Sequence, residues 1–261
     1  MTAAETVGQR PLVISDVTGG VATVTLDSPG NRNALSANLC AHLLAELTTA
    51  VRDDNVRAVV LTHTGPVFCA GADLKEASER RGAAARDFSA VLELLWTSPK
   101  PVVARLAGPA RAGGTGLVAA CDFAVAVDTV SFAFTEVRIG VVPAVISVPL
   151  RHRVVPHALY RLFLSAETFD AHHAASIGLL SAVVPVDNLD DEIGHLVETL
   201  VLSGPKAWAG TKRLLRSEAP SIAVELSAMQ NLSAQYFNSE EGREGIRSFA
   251  ERRRPAWVPH R

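Results

Sequence analysis

Segments with strand-like and helix-like patterns alternate along the first half of the chain, and this alternation limits the possible folds most strongly. Two β-branched segments, residues 11–17 and 20–29, meet at a pair of glycines and predict a hairpin. Residues 36–54 carry leucines at every fourth position and predict a helix that Ser36 caps. The short apolar run at residues 57–64 then predicts a buried strand.

The same order of elements continues further along the chain. Residues 73–96 predict a long helix with one apolar face, and residues 113–122 predict a short helix. Strands are predicted at residues 100–108 and 123–128. Strand, helix and strand repeated in this way indicate an α/β domain with a largely parallel sheet.

The pattern changes near residue 187, after which helical segments follow one another with no strand between them. We therefore divide the chain into a core domain, residues 1–187, and a C-terminal helical region, residues 188–261. The apolar faces of these helices have no obvious partner within the chain. They are expected to pack against the core or against other subunits.

The composition excludes several classes of protein. With 261 residues, of which 48% are hydrophobic, the chain can bury a substantial core, and its net charge of −2 gives no basic field for nucleic acid or membrane. The basic run Arg252–Arg254 is interpreted as a solvated helix end. No apolar segment reaches the roughly 20 residues of a membrane span, and the N-terminus lacks the apolar stretch of a signal peptide. The three cysteines form no CxxC pair, so we expect reduced thiols and a cytoplasmic protein.

Two turns made of small residues follow predicted strands. The first lies in "FCAGADLKE", residues 68–76, and the second in "AGPARAGG", residues 107–114. Backbone N–H groups that are exposed where a helix begins attract negative charge, and small side chains let a ligand come close. Two such turns that point at one oxygen would form an oxyanion hole. Each turn alone is more typical of an ordinary tight turn.

Glu136 is the third element, because it stands between apolar residues in "SFAFTEVRIGVVP". A carboxylate buried there would have a raised pKa and could exchange protons near neutral pH. A loop glutamate whose carboxylate lies in water is the competing interpretation, and the sequence favours neither.

Together these segments closely resemble the enoyl-CoA hydratase/isomerase family, also called the crotonase superfamily. The matching segments occur in the family's order and span residues 12–257: they are "NRNALS", "FCAGADLKE", "KPVVARLAGPARAGGTGLVAACDFAVA", "SFAFTEVRIGVVP", "AASIGLLSAVVP" and "EGREGIRSFAERRRPAW". The resemblance implies a spiral of ββα units followed by helices that form a homotrimer or a dimer of trimers. It also implies an acyl-CoA thioester as substrate, with no metal and no redox cofactor.

The resemblance further implies the roles of particular residues. The thioester oxygen would accept hydrogen bonds from the backbone N–H groups of Ala72 and Gly113, with Glu136 as acid and base. The residues implied to contact the coenzyme A moiety are Arg32, Ala34, Ala70, Asp73, Leu74 and Lys75.

The chain departs from the family pattern at the position of a second catalytic glutamate, which is Gly116 here. The family's glycine-rich PGAGG segment is replaced by Pro143–Ser147, and the proline before the retained glutamate is replaced by Thr135. One carboxylate could hold the water and protonate Cα in turn, which is hydration, or move a proton between Cα and Cγ, which is isomerisation. We favour hydration, with isomerisation and non-catalytic acyl-CoA binding as alternatives.

The remaining candidates have simpler interpretations. Arg111 and Arg138 could pair with a substrate carboxylate, although a solvated arginine is the favoured interpretation of each. His172–His173 lacks the i, i+4 spacing of a helical metal site. Cys69, beside the first turn, could be a nucleophile, but a packing residue is the favoured interpretation because no base is obviously paired with its thiol. Cys121 is interpreted as a core residue.

Overall fold

The computed structural model describes residues 10–76, 78–216 and 221–258. The strands are β1 (Val13–Thr18), β2 (Val21–Leu26), β3 (Ala58–His63), β4 (Val102–Leu106), β5 (Ala110–Arg111), β6 (Phe123–Val127), β7 (Ser131–Ala133), β8 (Phe169–Asp170) and β9 (Ala182–Val184). The α-helices are α1 (Ala37–Arg52), α2 (Ser78–Thr97), α3 (Gly113–Ala120), α4 (Ala144–Arg151), α5 (Pro156–Ser165), α6 (Ala171–Ser176), α7 (Leu189–Val201), α8 (Pro205–Leu215), α9 (Ile222–Phe237) and α10 (Glu240–Ala250). Short 3₁₀ helices cover Pro29–Asn31, Glu136–Ile139 and Val186–Asn188.

The larger sheet has the strand order β1-β2-β3-β4-β6-β9. β1 and β2 form the predicted antiparallel hairpin, and the other neighbouring pairs in this sheet are parallel. All six residues of β3 are buried, as expected for a strand of a parallel sheet that is covered on both faces. The prediction of an α/β fold with a largely parallel sheet is therefore confirmed.

A smaller sheet, of order β5-β7-β8, lies next to the two small-residue turns. β5 lies within the segment of the second turn, just before Gly113, and runs parallel to β7, which comes just before Glu136. An isolated bridge joins Cys69, in the first turn, to Ala110 of β5. Strand pairing therefore brings both turns and the segment of Glu136 to one place.

The predicted helix at residues 73–96 begins later than expected, at Ser78. Asp73 is held in a turn, because its Oδ1 atom accepts a hydrogen bond from the backbone N–H of Lys75 at 3.0 Å. Such a local bond competes with helix formation. The carboxylate of Glu76 is also engaged, since it accepts a hydrogen bond from the N–H of Ala37 at the start of α1. The expectation of a helix that starts directly after the first small-residue turn is wrong.

The helices after residue 187 pack on the rest of the chain. α7 lies against β3, β4 and β6, and α9 lies against α2 and α4. α10 contacts the short helix Glu136–Ile139 so closely that a Cβ atom on Gly245 would lie 2.2 Å from the carbonyl oxygen of Ile139. The C-terminal helical region therefore supports the segment that carries Glu136, and its division from the core at residue 187 stays a prediction.

None of the helices in the described ranges is long and apolar enough to span a bilayer. The basic run Arg252–Arg254 is exposed after the end of α10. Within it, Arg253 pairs with Glu244 and Glu251, so the solvated interpretation of this run is supported by its contacts.

Candidate active site

The first small-residue turn is fixed to the segment that precedes α1. The N–H of Leu35 donates to the carbonyl of Gly71 at 2.8 Å, and the N–H of Asp73 donates to the carbonyl of Leu35 at 3.4 Å. These bonds form a parallel bridge opposite Ala72. In such a bridge the flanking residues make the hydrogen bonds, so the N–H of Ala72 itself points away from Leu35.

The second turn ends at Gly113, the first residue of α3, whose N–H has no acceptor within the helix. Ala112 precedes it with a φ of 47°, and its own N–H donates to the carbonyl of Ala133 in β7 at 3.0 Å. Positive φ in a residue other than glycine costs on the order of 1 kcal/mol or more. The link to β7 therefore holds a strained backbone that directs the N–H of Gly113 outward from the helix.

The two turns lie directly against each other. A Cβ atom on Gly71 would lie 2.9 Å from the Cβ of Ala112 and 3.5 Å from the nitrogen of Gly113. Gly71 also has a φ of +88°, so both the space and the backbone conformation require glycine there. The N–H groups of Ala72 and Gly113 consequently belong to one compact surface.

This surface forms part of the wall of a cavity of about 220 Å³. Ala70, Ala72, Asp73, Leu74 and Gly113 line it on the side of the turns, and Glu136 lines it as well. The other residues that line it are Leu35, Arg81, Gly82, Ala84, Ala85, Phe88, Ala112, Thr135, Ile139, Val141, Val142, Pro143, Ala144, Val145, Ile146, Gln230, Ser233, Ala234, Phe237 and Asn238. The cavity is thus largely apolar, with a few polar groups.

Glu136 begins the short 3₁₀ helix and presents its carboxyl group to this cavity. The residue as a whole is partly exposed, but its Oε2 atom is buried and has no hydrogen-bond partner among the described residues. Burial disfavours the charged form and raises the pKa of the Glu136 carboxyl to about 7. The group is therefore suited to both accepting and donating a proton near neutral pH.

The structure brings together six of the nine residues that the sequence suggested for the site. Arg32, Ala34 and Lys75 do not line the cavity. The carbonyl of Arg32 instead accepts a hydrogen bond from the N–H of Ala70 at 3.1 Å, and Ala34 is buried, whereas Lys75 is exposed. Arg32 thus stabilises the first turn through its backbone carbonyl. The roles that the resemblance implies for these three residues stay predictions.

The two arginines considered as partners of a substrate carboxylate lie elsewhere. Arg111 donates to the carbonyl and to the hydroxyl of Ser131, the latter at 2.9 Å. Arg138 is exposed, and its guanidinium donates to the carbonyl of Ser165 at 3.5 Å. Neither arginine lines the cavity.

The thiols and the histidine pair add no reactive group. Burial raises the pKa of both Cys69 and Cys121 to about 12, so both thiols stay protonated and unreactive. His172 and His173 are exposed on α6. Across the described ranges, no group of three or more histidine, cysteine, aspartate or glutamate residues is placed to hold a metal ion.

Sequence reasoning missed four polar residues of the cavity. Arg81 comes from α2, whereas Gln230, Ser233 and Asn238 come from α9 and the residue that follows it. The contact of α9 with α2 brings these four residues to the cavity, and no local pattern in the sequence predicts that contact. The one available signal is that Arg81 lies seven residues before Phe88, on the same face of the helix.

The space beside Gly116 is occupied by a neighbouring side chain. A Cβ atom on Gly116 would lie 2.7 Å from the Cγ2 of Ile146 and 3.5 Å from the Cζ of Phe88. Ile146 belongs to α4, in the segment that replaces the family's glycines. The two departures from the family pattern are therefore one packing arrangement, in which Ile146 occupies the volume that a side chain at position 116 would need.

Gly116→Glu is consequently expected to lower the free energy of unfolding by roughly 1–3 kcal/mol through overpacking. Adding Ile146→Gly should relieve the contact, so the double variant should be more stable than the sum of the two single changes predicts. Denaturant unfolding of the four proteins of this cycle measures the coupling energy. Additive changes would show that Ile146 does not limit position 116.

Comparisons with known proteins identify the family of this chain. The family model described as "Enoyl-CoA hydratase/isomerase" matches residues 16–259. A crystal structure of an enoyl-CoA hydratase from Mycobacterium avium is 41% identical, with a TM-score of 0.84 over 96% of this chain and 100% of that one. Human enoyl-CoA hydratase domain-containing protein 3, mitochondrial, is 30% identical over 91% of this chain and 80% of its own length. A methylmalonyl-CoA decarboxylase structure is 26% identical, with a TM-score of 0.82 over 95% of this chain and 99% of that one. The chain belongs to the enoyl-CoA hydratase/isomerase family, the crotonase superfamily.

Proposed function

We propose that this protein is an enoyl-CoA hydratase, which adds water across the double bond of an α,β-unsaturated acyl-CoA. The observation that carries the proposal is the buried carboxyl of Glu136, which has a pKa of about 7 and no partner for Oε2 among the described residues. It shares one cavity with the two small-residue turns. A proton-transfer group and backbone donors in one apolar cavity suit chemistry next to a thioester carbonyl.

The reaction follows from these groups. The thioester oxygen accepts hydrogen bonds from the N–H groups of Ala72 and Gly113, which stabilise the negative charge that develops on it. Ionised Glu136 takes a proton from water while the oxygen of that water bonds to Cβ, and the double-bond electrons move toward the thioester oxygen. Protonated Glu136 then returns the proton to Cα on the same face. No metal or redox cofactor takes part in the proposed reaction, and coenzyme A belongs to the substrate.

Isomerisation is the second candidate, and the packing at Gly116 favours it. Because Ile146 fills the space beside Gly116, Glu136 lacks a second carboxylate across the site at that position. A single base could move a proton between Cα and Cγ of a β,γ-unsaturated thioester. A purely non-catalytic acyl-CoA binder is less well supported, since binding alone gains little from an unpaired buried carboxyl group.

Turnover in water labelled with oxygen-18 distinguishes these reactions. Crotonyl-CoA, 3-methylglutaconyl-CoA and a β,γ-enoyl-CoA are compared side by side, and products are analysed by mass spectrometry. Hydration places the labelled oxygen in the product, whereas isomerisation does not. If only the β,γ-enoyl-CoA is turned over and its product carries no labelled oxygen, the protein is an isomerase and not a hydratase. Release of CO₂ from methylmalonyl-CoA, with neither of the other activities, would contradict both.

We also propose that the chain assembles as a homotrimer or a dimer of trimers. The C-terminal helical region exposes large apolar side chains, among them Leu202 at 87%, Leu215 at 77% and Phe249 at 56%. Exposed apolar groups of this size are typical of surfaces that another subunit covers. Light scattering is expected to give three or six times the 27.6 kDa mass of one chain. A single-chain mass at micromolar concentration would contradict the assembly.

A further inference from the structure

Arg81 is the one cationic residue among the described residues that line the cavity. It is half-buried, and its Nη1 atom donates to the backbone carbonyl of Glu76. No ion pair joins it to a carboxylate among the side chains that the structure describes, whereas the adjacent Arg80 pairs with Glu76. Placing a guanidinium in a largely apolar cavity is unfavourable unless an anion joins it there.

The position of Arg81 along α2 sets its distance from the two turns. Phe88 marks the near end of the cavity, since its Cζ atom lies 3.5 Å from where a Cβ on Gly113 would be. Arg81 precedes Phe88 by two helical turns, which is about 10 Å along the axis. Ala84 and Ala85 lie between them and line the cavity with small side chains. An acyl group held at Gly113 therefore has room to extend along α2 toward Arg81.

Polar side chains of α9 and of the residue after it also line the cavity. Gln230 of α9 donates from Nε2 to the carbonyl of Ala85 at 3.4 Å, which places an amide one helical turn from Arg81. Ser233 and Asn238 line the cavity from the same side. Apolar residues such as Ile146 and Val141 line it elsewhere. Gln230 thus adds a hydrogen-bonding group near Arg81, where the charged end of an acyl chain would lie.

We infer that Arg81 selects acyl-CoA thioesters whose acyl chain ends in a carboxylate, that is, monothioesters of short dicarboxylic acids. The inference rests on the proposed function, since it assumes that the thioester carbonyl lies at Ala72 and Gly113. The planar guanidinium can donate two parallel hydrogen bonds to a carboxylate, which are among the stronger polar contacts in proteins. Arg111 and Arg138 cannot take this role, because neither lines the cavity.

Two saturated thioesters of equal chain length, glutaryl-CoA and pentanoyl-CoA, test the inference without any chemistry. They share the coenzyme A moiety, so only the terminal carboxylate distinguishes them. Isothermal titration of the wild-type protein should show roughly 10- to 100-fold tighter binding of glutaryl-CoA. Equal binding, or tighter binding of pentanoyl-CoA, would overturn the inference. This comparison needs no variant and therefore does not depend on the folding of one.

Arg81→Met keeps the apolar stem and removes the charge, and Arg80→Met makes the same change on an exposed neighbour. Arg81→Met should abolish the preference for glutaryl-CoA and leave pentanoyl-CoA binding unchanged, whereas Arg80→Met should preserve the preference. An equal loss for both thioesters in Arg81→Met would mean that Arg81 binds a coenzyme A phosphate, which contradicts the inference.

The same titrations separate this inference from the proposed function. Preferential glutaryl-CoA binding without turnover of any enoyl-CoA would sink the hydratase proposal and leave the role of Arg81 standing. Hydration of enoyl-CoA with no preference for the carboxylate would support the hydratase proposal and overturn the role of Arg81. Absence of binding by both thioesters would overturn the proposed substrate class and the inference together.

Discussion

Replacing Glu136 with glutamine is expected to lower kcat about 100- to 10,000-fold, the range associated with loss of general acid–base catalysis. Glutamine keeps nearly the same shape and can still hydrogen-bond a water molecule, but it cannot take a proton. The affinity for a saturated acyl-CoA should change little, because the N–H groups of Ala72 and Gly113 remain. Steady-state kinetics with crotonyl-CoA and titration with butyryl-CoA measure the two quantities separately.

The pH dependence of the hydration rate tests the role of Glu136 independently. Hydration needs the ionised form of Glu136, and the pKa of its carboxyl is about 7. The rate should therefore fall tenfold per pH unit as the pH drops below about 7, and Glu136→Gln should remove this dependence. A wild-type profile that stays flat from pH 5 to 8 would mean that another group controls the reaction.

The free energy of unfolding should respond to pH in the opposite direction from the reaction rate. Since burial raises the pKa of Glu136 from 4.5 to about 7, the folded state binds more protons than the unfolded state between these values. The free energy of unfolding therefore falls as the pH rises through this interval, by about 3 kcal/mol for this group. At pH 8, Glu136→Gln should be more stable than the wild type by an amount of this order, while the exposed control Glu198→Gln should not be. A variant that keeps full activity and gains no stability would show that Glu136 is an ordinary loop glutamate.

Much of the core fold could be predicted from the sequence because its signals are local. The hairpin of β1 and β2 follows from two β-branched runs joined by a pair of glycines, and the buried strand β3 is a short apolar run. Ser36 caps α1 as predicted, accepting a hydrogen bond from the N–H of Leu39. Each of these elements is decided by residues within a few positions of one another.

The start of α2 could not be predicted because a competing interaction decides it. The apolar pattern is compatible with a helix from Asp73, but the carboxylate of Asp73 binds the backbone N–H of Lys75. Glu76 is also drawn away from the helix to the start of α1. The correction changes the argument for the site, since the N–H of Ala72 is presented by a strand-like bridge and not by a helix N-terminus.

The cavity was harder to predict than the start of α2, because contacts between segments that are distant along the chain form it. Ile146 fills the space beside Gly116 because α4 packs on α3, and Gln230 reaches the carbonyl of Ala85 across the contact of α2 with α9. Neither contact leaves a periodic signal in the sequence. The motifs located the residues that we propose to react, whereas the residues that form the other walls of the cavity come together only when the helices pack.

Gly113→Pro is expected to lower kcat/KM on the order of 100- to 1000-fold, because it removes one of the two backbone donors to the thioester oxygen. Proline is tolerated at the first position of a helix, where the N–H has no intrahelical partner. The substitution also adds a Cβ atom, which would lie 2.4 Å from the Cδ1 of Leu35. Leu35 can move this terminal methyl group, but its displacement must be separated from the loss of the donor.

Gly113→Ala provides that separation, since it adds the same Cβ atom and keeps the N–H. If the backbone donor matters, the alanine variant should retain most of the activity and the proline variant should lose it, with similar thermal unfolding for the two. In the difference between the variants the contact of the added Cβ with Leu35 cancels, which leaves the lost donor and the two further ring atoms of proline. Equal activities of Gly113→Pro and Gly113→Ala would mean that the thioester oxygen is not held at this turn. The cavity beside Glu136 would then have to bind its substrate in another orientation, and the reaction derived from the two turns would fall with it.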